Sequence, residues 1–117
     1  AVLTPGDLSL LQEEVERVRV EEALVDYVMD IVGRTRSDPR FRLGISPRGS
    51  IALFRAARAF ALVEGRRFLV PDDVRTLVIP CLAHRLLPVG ATSGTAEAHD
   101  DAAALLEEIV EGVPIPV

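Results

Sequence analysis

The stretch GISPRGSIALFRAARAFALVEGRR, residues 44–67, decides the fold. Ser46 is a preferred N-cap residue, Pro47 suits the first helical turn, and Gly65 suits a left-handed stop at the other end. Between these signals the residues are apolar around most of the helical circumference. The pattern predicts a central helix of about five turns that touches its neighbours on most sides.

Three arginines interrupt this apolar surface. At 100° per residue, Arg48, Arg55 and Arg58 fall within a stripe about 80° wide. For Arg55 and Arg58 we expect ion pairs with carboxylates of adjacent helices, because structural pairing is the commoner fate of such residues. A functional role for these two is the alternative.

Arg48 differs because it lies in the first turn of the predicted helix. The free backbone N–H groups and the helix dipole favour an anion there, so a basic side chain is locally unfavourable. This mismatch indicates that Arg48 and the helix end face a negative group from outside. A phosphate oxygen is the obvious candidate, since the guanidinium fork matches it bidentately.

Two helices are predicted before this stretch. Thr4-Pro5-Gly6-Asp7 has the features of a helix start, and the helix should run towards Arg17. Residues 21–34 are amphipathic, and Ser37-Asp38-Pro39 should stop that helix. Its predicted core face consists of Leu24, Val25, Tyr27, Val28, Ile31 and Val32.

Two further helices are predicted after the central one. Pro71-Asp72-Asp73 starts a helix that should run towards Leu87, with a bend at Pro80. Residues 88–100 form a small-residue loop, which we expect to be the most flexible stretch. The last helix covers 100–111 and ends at Gly112, before Pro114 and Pro116.

These elements make an all-α fold, a small bundle of about five helices in one domain over residues 1–117. One very short strand pair, 18–20 with 68–70, is possible. The length of 117 residues and a hydrophobic content of 49% suit a single globular core.

The charge balance limits the function classes. A net charge of −5 argues against general nucleic-acid binding, although DNA binding through a turn-helix arrangement is a weaker alternative. All 13 basic residues are Arg, so the chain cannot supply the lysine of a phosphate-binding G-x-x-x-x-G-K-[ST] loop. Neither a signal peptide nor an apolar run of about 20 residues is visible, so we expect a cytoplasmic protein without a membrane span.

Other polar residues are given structural interpretations. Cys81 should be a buried hydrophobe, and His84 and His99 stand apart without ligand spacing, so no metal site is expected. Arg66-Arg67 is interpreted as a solvated turn. Asp72-Asp73 is interpreted as helix-start chemistry rather than an acid–base pair.

Several motifs together carry a family resemblance. DYVMDIVGRTR, LGISPRGSIALFRAARAFALVEGRRFLVPDDV, LAHRL and VPIPV follow one another along the chain. From about Thr4 to Val117 the sequence resembles the C-terminal helical lid of MoxR-type AAA+ ATPases. Gly49 and Val70 depart from it, standing where the family usually has Ala and a Thr cap. Because the Val70 side chain cannot accept a hydrogen bond from the first-turn N–H groups, Asp72 or Asp73 must help satisfy the start of the fourth helix.

The resemblance implies a nucleotide-binding core before this domain, with Walker elements, ATP and Mg. It makes Arg48 the sensor-2 arginine, which acts in catalysis from the lid, and makes Arg48, Ser46 and Pro47 nucleotide-binding residues. It also implies contacts with neighbouring subunits of a ring, with adhesion-type (von Willebrand factor A) partners, and a chaperone-like role. The isolated fragment would have no cofactor and would not be an enzyme, whereas its parent would be an ATPase.

A free-standing helical interaction module is the alternative function. The start AVLTPGDL, without Met, favours a domain cut out of a longer chain. Such a domain should expose apolar area and self-associate weakly.

Overall fold

The protein is a small bundle of helices, as the all-α prediction requires. In the computed structural model, which describes residues 4–90 and 95–116, five α-helices surround one core, with two very short strands at one side. The helices are α1 (Pro5–Glu16), α2 (Glu22–Ser37), α3 (Pro47–Val63), α4 (Pro71–Leu82) and α5 (Ala96–Gly112), and the strands are β1 (Phe41–Leu43) and β2 (Leu87–Pro88). A single 3-10 turn, Ala83–Arg85, separates α4 from β2.

Three helices begin at residues whose side chains accept a first-turn N–H. Thr4 Oγ1 accepts from the Asp7 amide at 3.1 Å, and the Asp7 carboxylate accepts from the Thr4 amide at 3.0 Å, which completes a capping box on α1. The side chains of Ser46 and Thr95 cap α3 and α5 by accepting the Gly49 and Ala98 amides. The predicted starts of α1 and α3 are confirmed.

The core lies between α2, α3, α4 and α5, whereas α1 has no buried residue. The predicted core face of α2 is correct except for Val25, which is 36% exposed. The expectation that α3 is covered on most sides is also wrong in part, because Ile51 is 54% and Val63 is 85% exposed. Within the described residues, no helix combines the length and apolar character that a bilayer crossing needs.

The predicted strand pair is reduced to one parallel bridge between Arg19 and Phe68. The true two-stranded sheet was not foreseen. β1 pairs with β2 in antiparallel fashion, with Phe41 opposite Pro88 and Leu43 opposite Leu87 across an irregularity in the register. This sheet fastens the connection between α2 and α3 to the segment that follows α4.

The ends of the helices follow the predicted stops, with the exception of α4. α2 ends at Ser37, and Gly65 has a φ of +80° just after α3. α4 ends at Leu82 instead of running towards Leu87, because Pro80 weakens the helical ladder and Leu87 joins β2.

The last helix begins earlier than expected. α5 starts at Ala96, since Thr95 caps it by accepting from the Ala98 amide at 3.0 Å. The turn-rich loop is therefore shorter than predicted. Its residues 91–94 lie outside the described part of the chain.

Candidate functional site

The N-terminal tip of α3 is built by a cap and a proline. Ser46 has extended backbone geometry, and its Oγ accepts from the Gly49 amide at 3.3 Å. Pro47 has no N–H to satisfy and occupies the first helical position. The backbone amide of Arg48, the residue after Pro47, has no side-chain acceptor among the described residues.

The chain that leads into this tip is anchored to α2. Thr35 is fully buried, donates its hydroxyl to the Val32 carbonyl at 2.7 Å, and accepts the Ile45 amide at 3.0 Å. Gly44 passes so close to α2 that a Cβ there would lie 2.7 Å from the Cα of Arg36. These contacts give the entry to α3 a defined path.

Arg48 projects from this tip into solvent. It is exposed, and within the described chain it forms no ion pair and no side-chain hydrogen bond. An internal carboxylate therefore does not hold it. Its guanidinium is available to a group outside the domain, beside the dipole-positive end of α3.

The aliphatic part of the Arg85 side chain lies beside the first turn of α3. A Cβ at Gly49 would lie 3.3 Å from the Arg85 Cδ and 2.9 Å from the Ile45 Cγ2. The glycine at this position, where the family resemblance led us to expect Ala, makes room for these side chains. The tip of α3 is thus packed against the 3-10 turn after α4.

The expected ion pairs of Arg55 and Arg58 are not formed. Neither guanidinium lies within ion-pair distance of a carboxylate in the described residues. Arg58 Nε is shielded from solvent and has no hydrogen-bond partner there. Both arginines instead line an open concavity of about 440 Å³ beside the exposed face of α3.

The interpretation of Arg66-Arg67 as a solvated turn is correct for Arg67, whose side chain is 70% exposed, and wrong for Arg66, which is held in a part-buried ion pair. Arg66 forms a two-pronged ion pair with Asp73, at 2.7 and 2.6 Å, and Arg67 pairs with Glu14. Asp73 is 1% exposed and also accepts the Val70 amide at 2.9 Å, so it satisfies the start of α4 as expected. Burial alone would raise the pKa of Asp73, but the Arg66 guanidinium and the Val70 amide outweigh it and lower that pKa.

The two histidines lie closer together than the sequence suggested. His84, in the 3-10 turn, and His99, near the start of α5, line one small cavity of about 220 Å³. Separation by 15 residues hid this convergence, because the fold has to reverse the chain to produce it. Among residues 4–90 and 95–116, no three His, Cys, Asp or Glu side chains are grouped so that they could hold a metal ion.

Burial also affects Cys81. It is half-buried against the core, and burial raises the pKa of its thiol. Cys81 therefore packs as a small hydrophobe, as predicted, but is not fully buried.

Comparison with known proteins gives a consistent family. Residues 33–109 match the family described as AAA lid domain. The chain is 39% identical over 118 aligned positions to the uncharacterized protein YeaC of Bacillus subtilis, which covers 99% of the chain and 35% of that protein. It is also 39% identical to the chaperone MoxR1 of Mycobacterium tuberculosis, over 74% of the chain and 25% of that protein.

A further relative is also a MoxR protein, and a solved structure has a similar fold. The protein MoxR of Paracoccus denitrificans is 41% identical over 64% of the chain and 22% of its own length. A crystal structure from Cytophaga hutchinsonii, assigned as an ATPase, superposes with a TM-score of 0.79 at 24% identity, covering 96% of the chain and 36% of that structure. At this identity the structural likeness concerns the fold. The chain spans about a fifth to about a third of the lengths of these relatives.

Proposed function

Because the chain belongs to the AAA lid domain family and is the lid domain of a MoxR-family AAA+ ATPase, we propose that it closes over ATP bound by a preceding core and supplies a sensor-2 arginine, Arg48. The observation that carries this proposal is the state of that side chain. It is exposed and unpaired within the described chain, on a capped first turn whose entry is anchored by Thr35.

The tip of α3 fits a phosphate group chemically. A forked guanidinium and the adjacent Arg48 amide offer several N–H donors, and the helix dipole adds positive potential. Among residues 4–90 and 95–116 no group of three or more His, Cys, Asp or Glu side chains is placed to hold Mg, whose oxygen ligands would come from the core and the phosphates. ATP supplies the transferable phosphoryl group, and the lid contributes donors aimed at its charge.

Ser46 and Pro47 have a preparatory role in this proposal. Ser46 Oγ is already engaged with the Gly49 amide, and Pro47 fixes the first backbone angle of α3. They therefore fix the backbone at Arg48, and in the proposed closed state they lie with it in the nucleotide-binding site. Because the cap and the Thr35 anchor fix the backbone of the tip, the Arg48 amide needs little rearrangement as charge builds on the phosphoryl oxygens, whereas the exposed guanidinium is ordered by the phosphate itself.

Lid closure would then couple the nucleotide to the angle between lid and core. In the parent protein we place the domain against its own N-terminal core and neighbouring ring subunits. Remodelling or assembly of partner proteins, including adhesion-type (von Willebrand factor A) proteins, is the proposed outcome of that cycle. Its chaperone role is proposed from relatives such as MoxR1.

The test is ATPase turnover of the full-length parent with Arg48→Ala. We expect kcat to fall at least tenfold, and up to about a hundredfold, because a donor to the transition-state charge is lost. Arg42→Ala is the matched control, since Arg42 is exposed on β1 and forms no ion pair within the described residues. Turnover that is unchanged by Arg48→Ala would reject the sensor assignment.

A further inference from the structure

A second surface lies farther along α3 and is not used by the proposed nucleotide contact. It is the concavity of about 440 Å³ between the end of α1, the start of α2 and the exposed face of α3. We call it the Arg55 pocket, and its lining consists of Glu16, Val20, Val25, Ile51, Phe54, Arg55 and Arg58. Four of these seven side chains are apolar.

The apolar part of the pocket is accessible. Ile51 is 54% and Val25 is 36% exposed, and Phe54 is half-buried against the core. Isolated exposed apolar residues need no explanation, but here they meet in one concave surface. Exposed apolar patches rimmed by polar side chains are typical of protein-interaction sites.

The two sides of the Arg55 pocket differ in charge. Arg55 and Arg58 stand one helical turn apart on α3, and both lack a carboxylate partner within the described chain. The shielded Arg58 Nε has lost its solvation without gaining a hydrogen bond. Glu16 is the acidic residue of the lining, at the end of α1, so the positive side of the pocket is its α3 wall.

We infer that the Arg55 pocket docks an acidic, apolar segment of a protein partner, which places a bulky apolar side chain on Ile51 and Phe54 and a neighbouring carboxylate on Arg55 and Arg58. Charge complementarity selects this occupant, because a carboxylate would satisfy two guanidinium groups that the chain leaves unpaired. The same charges disfavour a basic segment. Glu16 would orient the segment by repelling its acidic end towards α3.

The pocket is distinct from the tip of α3. Arg55 follows Arg48 by seven residues, which places its Cα about 10 Å farther along the helix axis. The inference therefore does not rest on the role proposed for Arg48. Loss of one contact should leave the other measurable.

The test uses the 117-residue chain, whose helices close their own core, and three fluorescent helical peptides. The first peptide has Leu at every third or fourth position, along one face of the helix, and Glu along the other face. The second has Lys in place of each Glu, and the third has Ser in place of each Leu. We expect the Leu/Glu peptide to bind at least tenfold more tightly than the other two by fluorescence anisotropy at low salt.

Single substitutions then locate the site. Arg55→Glu should weaken the Leu/Glu peptide at least tenfold, whereas Arg42→Glu, the same charge change on an exposed strand residue, should not. Ile51→Ser should weaken it as well, with Val63→Ser as the control, because Val63 is 85% exposed and does not line the pocket.

Several results would overturn the inference. They are absence of binding by the Leu/Glu peptide, equal binding of the Lys peptide, and full binding by the Arg55→Glu chain. Displacement of the peptide by ATP would instead assign the pocket to the nucleotide side. Self-association that Arg55→Glu abolishes, measured by sedimentation, would assign it to a second copy of the chain.

Discussion

Replacement of Thr35 by Val tests whether the tip of α3 is anchored by a single buried hydroxyl. Thr35 and Ile45 are both 0% exposed, and the Thr35 hydroxyl bridges the Val32 carbonyl at 2.7 Å and the Ile45 amide at 3.0 Å. Val has nearly the same shape, so Thr35→Val removes both hydrogen bonds without opening a cavity. The Ile45 N–H is then buried without an acceptor.

The expected cost follows from that unsatisfied amide. Leaving one buried donor without a partner costs about 1–3 kcal/mol. Taking about 2 kcal/mol and a urea m-value of about 2 kcal/mol per M, the unfolding midpoint should fall by about 1 M. Thr35→Ser keeps the hydroxyl and loses only a methyl group, for a cost of about 1 kcal/mol. Thr35→Val should therefore be the less stable variant.

The measurement is urea unfolding of the 117-residue chain followed by circular dichroism. Thr76→Val is the matched control, because Thr76 is exposed on α4 and the same substitution should change stability by less than about 0.5 kcal/mol. If Thr35→Val were as stable as the parent chain, or more stable than Thr35→Ser, the anchoring argument would be refuted.

Three other predictions concern the described core. Asp73→Asn should destabilise the fold by on the order of 3 kcal/mol near neutral pH, because it breaks the buried pair with Arg66. Since folding lowers the Asp73 pKa, its contribution is complete above the unfolded value of about 3.9 and is lost as pH falls through the lower folded value. Urea midpoints of parent and variant should thus converge at acidic pH, and a constant gap would contradict this. Tyr27→Phe should leave stability equal or raise it by up to about 1 kcal/mol, because the buried Tyr27 hydroxyl has no partner in the described chain. A clear loss of stability in thermal unfolding would contradict this and show that the hydroxyl forms a hydrogen bond. Gly44→Ala should cost about 1–3 kcal/mol, because its Cβ would collide with the α2 backbone. Gly33→Ala is the control and should stabilise slightly, because a Cβ there meets open space. Equal effects of the two substitutions in thermal unfolding would reject the close approach at Gly44.

Local chemistry explains which parts of the fold could be predicted. The capping box of Thr4 and Asp7, the Ser46 cap and the Gly65 stop each depend on residues within a few positions, so the sequence displays them directly. α5 began earlier than predicted because the cap residue Thr95 lies within a run of small residues that also favours a loop.

Non-local contacts explain the misses. β1 and β2 are separated by more than 40 residues, and Phe41–Leu43 is too short to show the alternation that marks a strand. The Arg66–Asp73 pair spans only seven residues but requires the chain to reverse after α3. For the candidate site, the exposure of Arg48 agreed with its mismatch to the helix dipole. The unpaired state of Arg55 depends on where other helices place their carboxylates, which the stripe alone does not specify.

The position of both proposed contacts on α3 has a mechanical consequence. α3 is a 17-residue helix without Pro after its first position, and its Gly49-Ser50 pair, a step at which helices can bend, is buried and packed against Ile45 and Arg85. A displacement of α3 by a partner bound in the Arg55 pocket should therefore move the tip of the helix as well. Because Thr35 and the Gly44 approach also tie that tip to α2, the lid should rotate as one body when either contact forms. A partner in the pocket would then influence ATP turnover by changing the angle between lid and core, with no internal rearrangement of the domain.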